Sequence, residues 1–164
     1  MEILRLFLFT SLLCACCGWR CWLVLAALGA ATNVGWLATF PEWNEHFSLL
    51  SGVVTMALLF GFYLLEFGAD KSPGAEKVIR KFSQWVRLVA AALVAFLAFF
   101  PVSIWLAIPG ALAGAATGWT MTTRTLRLRE KWILPRPLLR RVGFSLGEDV
   151  ICWLVLWLAF AQLG

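Results

Sequence analysis

Leu64-Leu65-Glu66-Phe67-Gly68-Ala69-Asp70-Lys71-Ser72-Pro73-Gly74 ends an apolar run of membrane-spanning length on two carboxylates, a lysine and a turn. Glu66 and Asp70 stand four residues apart, so on a continuing helix they share one face, one turn apart, and can share a ligand. Ser72 and Pro73 read as the cap and first position of a new helix, because proline has no N–H to lose there and its φ is already helical. The stretch predicts a helix end, a turn and a helix start.

The runs around it say what kind of protein carries it. Of 164 residues, 62% are hydrophobic and 14% charged, against an apolar share of about half in a soluble domain. The expectation is an all-α, polytopic transmembrane helix bundle of about six spans. Residues 1–164 form a single integral membrane domain, because the loops between apolar runs are too short to fold alone.

The first run, residues 3–17, breaks at Gly18-Trp19-Arg20. Leu13-Cys14-Ala15-Cys16 would also pass as a lipid-attachment box with Cys16 as the mature N-terminus. Glu2 and the turn's direct passage into another apolar run favour a short first membrane helix. The second span is read at 21–39, followed by a polar acidic loop around Pro41 to His46. The third span is read at 47–68. An amphipathic interfacial segment over 77–87 feeds a fourth span ending at Phe100, and Pro101-Val102-Ser103 is a turn. The fifth span, from Ile104 to Thr123, carries Gly110, Gly114 and Gly118 at four-residue spacing. This pattern lets backbones approach closely in lipid and makes helix five the expected centre of the bundle. A basic loop runs from Arg124 to Arg141 and a sixth span from Leu146 to Gln162, with Leu156 expected to face lipid.

Five of the fourteen Lys and Arg lie between Lys71 and Arg87, and seven between Arg124 and Arg141. Six crossings put both groups and Arg20 on one side, which the positive-inside rule makes cytoplasmic, with both termini outside. Two sets of three spans would be inverted relative to each other, an arrangement used by many secondary transporters.

Four acids are the candidate ligands. Glu66 lies inside an apolar stretch, where an ionisable residue costs at least ~2 kcal/mol and is usually paired or functional. It is read either as an ion-binding carboxylate or as one half of a salt bridge to Arg20, Lys71 or Arg124. Glu148 and Asp149 open the sixth span, and Ser145-Leu146-Gly147-Glu148 also fits a capping box. Glu66, Asp70, Glu148 and Asp149 are expected to converge in one acidic cluster, balanced by Arg20, Lys71 or Arg124. Cys14, Cys16, Cys17 and Cys21 crowd one region without paired metal-ligand spacing and read as small packing residues. His46 is the only histidine and lies in the acidic loop. No metal, cofactor or catalytic constellation is expected, and the protein is read as no enzyme. The basic 124–141 segment suits anionic lipid head groups and not nucleic acid.

Gly18-Trp19-Arg20, the 65–74 stretch, Gly110-Ala-Leu-Ala-Gly-Ala with Thr123-Arg124, and Ser145-Leu-Gly-Glu148-Asp149 occur in an order that resembles the bacterial membrane proteins grouped as domain-of-unknown-function family 4126. The resemblance covers nearly the whole chain and departs from the family pattern at Ser72, Ala75-Glu76 and the cysteine cluster. It implies a membrane fold, a bacterial cytoplasmic membrane, and no activity. Glu66-Phe67-Gly68-Ala69-Asp70-Lys71-Ser72 is also similar, apart from the inserted Ala69, to the signature of small manganese and calcium exchangers. A hard cation would want the oxygens of those four acids. The functional expectation is a small transporter or channel for a solute or cation. The alternative is a scaffold or lipid-organising module with basic cytoplasmic loops, and a homo-oligomer is compatible with either.

Overall fold

The computed structural model of the chain describes residues 2–35, 41–69, 73–132 and 138–161, and these form six helices: α1 (Glu2–Val34), α2 (Pro41–Ser51), α3 (Val53–Ala69), α4 (Pro73–Phe99), α5 (Ile104–Trp132) and α6 (Leu138–Ala161). No strand occurs among the described residues. Among the described residues, three helices are long and apolar enough to cross a membrane, or four if the bent pair α2 and α3 counts as one span.

α1 counts once in that tally, yet it is not straight. Arg20 leaves the helical region (φ −143°, ψ 74°). Leu6, in the first arm, lines a cavity with Phe99 at the far end of α4. The Phe100 ring meets that of His46 in α2 at 5.4 Å, and Gly29, in the second arm, packs on the Leu50 carbonyl of α2. Both ends of α1 therefore lie at one end of the bundle and the Arg20 bend at the other. At 1.5 Å per residue the arms are about 27 and 21 Å long, each short for a hydrocarbon core of about 30 Å. The remaining contacts fix the other helices. Cys14 donates to Ala91 O of α4 (3.4 Å), the Phe9 and Phe160 rings meet at 5.7 Å, and the Trp22 and Phe62 rings stack at 4.7 Å. α3 to α6 thus run alternately down and up around the folded α1.

Several boundaries differ from those read in the sequence. The 40–48 segment continues as α2, which begins at Pro41, and the expected third span is bent by 67° at Gly52. Asn33 ties this corner to the end of α1 through Ser51 O (3.0 Å). α5 runs helically to Trp132 and α6 starts at Leu138, so most of the expected basic loop is helix. The turn after α4 is as read, with Ser103 N donating to Phe99 O (3.1 Å) and Ser103 Oγ accepting from Trp105 N (3.2 Å).

The centre is α1, not helix five. Leu13, Cys17, Cys21, Val24 and Leu28 are fully buried, and all five cysteines lie inside as small packing residues. α5 lies on one side of this core, its glycines against α1 and α4. A Cβ added at Gly114 would stand 2.7 Å from both Ala91 O and Ala95 Cβ. At Gly118 it would meet Ala91 Cβ at 2.7 Å, and at Gly110 the Phe99 ring. In lipid, where apolar burial alone does not favour helix association, such contacts supply the attraction. Leu156 belongs to the core and is fully buried, contrary to its expected lipid exposure. Gly114→Leu should lower the melting temperature in detergent, and Leu156→Ala should cost about 2 kcal/mol or more through its cavity. Gly61→Leu, where nothing lies within 4 Å of the added atom, should melt near wild type. Wild-type melting of Gly114→Leu would remove the close crossing.

Candidate functional site

The Arg20 bend places a guanidinium in the interior at the end of the bundle where α3, α5 and α6 also bring charge. Arg20 is fully buried. Its NH2 donates to Ser145 Oγ (2.6 Å) and reaches Glu148 Oε2 at 3.5 Å. Its Nε meets Asp149 Oδ1 at 2.6 Å, off the line of a hydrogen bond and so a charge contact. Arg129 of α5 closes on Glu148 with two nitrogens, Nε to Oε1 at 3.3 Å and NH2 to Oε2, in the fork geometry that favours arginine for carboxylates. Tyr63 of α3 donates to Asp149 Oδ2 (2.9 Å).

Glu66, one turn beyond Tyr63 on α3, forms the neighbouring half of the network. Arg87 NH2 donates to its Oε1, and Ser83 Oγ donates to the same oxygen (3.3 Å). Arg87 NH1 also donates to Gly18 O (3.3 Å), which the Thr122 hydroxyl approaches at 2.9 Å. Gly18 can be this close to α5 because a side chain there would strike Gly118 O, at 2.7 Å from its Cβ. Glu66 Oε2 and Arg87 Nε are buried with no hydrogen-bond partner.

The described network thus joins Arg20, Arg87 and Arg129 to Glu66, Glu148 and Asp149, with charges matched one for one across five helices. It differs from the acidic cluster read in the sequence. Glu148 and Asp149 share Arg20, whereas Glu66 pairs with Arg87 and is linked to them through Tyr63 and Gly18. Asp70 and Lys71 lie outside the described residues. Arg124 is exposed, because the buried face of α5 runs Gly118, Thr122, Thr125, Arg129 and leaves position 124 off it. The capping box is absent: α6 begins seven residues before Ser145, so Ser145 and Glu148 are mid-helix and free to receive the arginines. No group of three or more His, Cys, Asp and Glu side chains able to hold a metal occurs among the described residues.

Arg87, Arg129, Tyr63 and Ser83 were not singled out in the sequence. Arg129 could have been, since the helical face that starts at Gly118 and continues in steps of four, three and four residues through Thr122 and Thr125 leads to it. Arg87 reads as one more basic residue of an amphipathic segment until the partner helix is known.

A sequence profile for a domain of unknown function (DUF4126) matches residues 7–162. No curated protein and no solved structure matches the chain.

Breaking one member of a buried ion pair leaves its partner's charge uncompensated, at about 3–5 kcal/mol. Arg20→Leu should lose stability on that scale, and Arg20→Leu with Asp149→Leu should recover part of the loss when both are followed by unfolding in detergent. A double variant as unstable as the sum of the singles would show that the two do not interact.

Proposed function

The chain belongs to the DUF4126 family, whose description carries no activity, and we propose that it is a small membrane transporter or channel in which the arginine–carboxylate network gates the passage of a small solute or cation. The observation that carries this reading is the burial of six charged side chains from five helices at one end of an otherwise apolar bundle. Apolar packing of the same volume is often as stable or more so, and ionisable groups at membrane depth are concentrated along ion and solute paths. A set of pairings that can be exchanged is the kind of element that supports two packings of one bundle. Glu66 Oε2, buried and without a hydrogen-bond partner, is the oxygen most available to a proton or cation. Arg87 on the other oxygen of Glu66 makes occupation compete with the ion pair.

The network-bearing end is assigned to the cytoplasm and both termini to the outside of a bacterial cytoplasmic membrane. Arg124, Arg127 and Arg140 are exposed on the helices that carry Arg129 and Glu148, in keeping with the positive-inside rule. The same exposed arginines favour a second reading, a scaffold that gathers anionic lipid at the cytoplasmic face.

In proteoliposomes, Glu66→Gln should abolish ion flux and lower stability by stranding Arg87. Glu66→Gln with Arg87→Gln should regain stability without flux. Return of flux with stability in the double variant would assign the pair to structure alone and leave the scaffold reading ahead. Orientation has its own check. The native cysteines are buried and should react slowly, so an impermeant maleimide should label Asn44→Cys on intact cells and Glu130→Cys only after permeabilisation. The reverse pattern would invert the assignment.

A further inference from the structure

We infer that the cavity between the first arm of α1, α4 and α5 binds a neutral lipophilic molecule carrying one hydroxyl or carbonyl group, which the Thr10 hydroxyl recognises. The cavity has a volume of about 400 Å³, and its wall includes Leu6, Thr10, Cys14, Phe99, Gly110 and Gly114. Small-molecule sites commonly enclose about 300–1,000 Å³ behind apolar walls with few polar groups. Its shape is a wedge. The first arm of α1 and α5 meet at Gly18 and Gly118, where no Cβ fits between them, and diverge toward Phe7 and Leu106, which are exposed at the mouth. Pro109, Ala113 and Thr117 complete the wall on the α5 side, where Gly110 and Gly114 let α5 close on Phe99 and Ala95 of α4.

Thr10 supplies the polar contact. It is 3% exposed, and its Oγ1 has no hydrogen-bond partner. Threonines inside helices usually donate to the carbonyl one turn earlier, as Thr32, Thr117, Thr122 and Thr123 do here. Thr117, which also lines the cavity, spends its proton on Ala113 O, whereas the Thr10 proton is unspent, and a turn about its Cα–Cβ bond, between rotamers that helical threonine shares, presents the hydroxyl to a ligand. No charged side chain lines the cavity, so nothing there would hold a phosphate or carboxylate head group. The unspent Thr10 hydroxyl is what favours a neutral molecule with one polar group over a plain acyl chain. The site lies beyond the Gly18–Gly118 contact from the ion network and does not depend on the gating reading.

The test is photolabelling of the full-length protein in phospholipid nanodiscs with a diazirine derivative of octan-1-ol. Adducts should concentrate within residues 6–14 and 99–114, and octan-1-ol should displace them at concentrations where n-octane does not. Thr10→Val, nearly isosteric, should weaken competition by octan-1-ol about fivefold or more, whereas Thr10→Ser should retain it. Ala113→Leu, which fills the cavity from an exposed position, should suppress labelling while melting remains near wild type. Labelling equally strong at perimeter residues such as Val54 and Leu139, or unchanged by Ala113→Leu, would overturn the site. Equal displacement by octane and no response to Thr10→Val would mean that any aliphatic chain lodges there, and would overturn the recognition by Thr10.

Discussion

Arg20 has to be buried, and most of the architecture can be read as the means of burying it. A guanidinium without water needs acceptors on every side, and a helix that bends needs partners for the backbone groups it loosens. Both demands fall at the same place. Ser145, Glu148 and Asp149 come from one side on α6 to meet Arg20. From the other side, Arg87 and Thr122 converge on the Gly18 carbonyl two residues away. Without the bend, the apolar residues 4–34 could form one long span on the outside of a bundle; with it, both arms of α1 become its centre. The second function of the bend is to set which residues can lie beside it, since Gly18 packs on the Gly118 backbone only because it carries no side chain, and Gly118 in turn packs on Ala91 of α4.

The composition of the interior follows from that crowding. Five helices close on α1, and the space among them suits cysteine, alanine and glycine better than larger residues. Phe9, Phe47, Leu13, Leu28 and Leu156 fill the remaining interior, and many other bulky side chains stay at the perimeter, where Leu49, Val53, Trp105 and Leu139 are among the most exposed. In water this distribution would be inverted, but lipid tails solvate leucine and tryptophan as well as a core does, so packing and polar pairing decide what goes inside. The cysteine cluster is explained without chemistry of its own: Cys16, Cys17, Cys21 and Cys152 are fully or almost fully buried, as compact weakly polar residues often are.

What was legible in the sequence depended on whether a signal was local. Composition showed a helical membrane bundle, and the Gly18-Trp19-Arg20 break and the Gly110, Gly114, Gly118 stripe each marked a feature that the fold uses. The 65–74 motif correctly flagged Glu66 but not its partner, because Arg87 is reached across a helix turn-around that no spacing rule spans. Ser145 to Glu148 illustrates the opposite error. A capping box is defined by four residues and ignores where the helix begins, and here seven more helical residues precede it. Arg124 failed for a related reason: proximity to the carboxylates in a topology diagram says nothing about which face of α5 a residue occupies. The 67° bend at Gly52 was marked only by the Ser51-Gly52 pair, inside a stretch read as one span from 47 to 68.

The pairing of charges also changes what kind of site the carboxylates can form. Four acids gathered without cations would be a standing site for a hard cation, because unpaired carboxylates in low dielectric repel each other until an ion or proton arrives. Glu66, Glu148 and Asp149 each already face a guanidinium, so on the proposed reading a cation arriving at these described carboxylates would bind only as an arginine withdraws. Binding and rearrangement are then one event. Arg20 is the member whose withdrawal would matter most, since it contacts both acids of α6 and sits at the bend of α1. Loosening its ion pairs would release the constraint that holds the two arms of α1 together at that end. On the proposed reading, a network of matched charges at a helix bend would link occupancy of a small site to the bend of α1, whereas an isolated acidic cluster would bind its ion without moving anything.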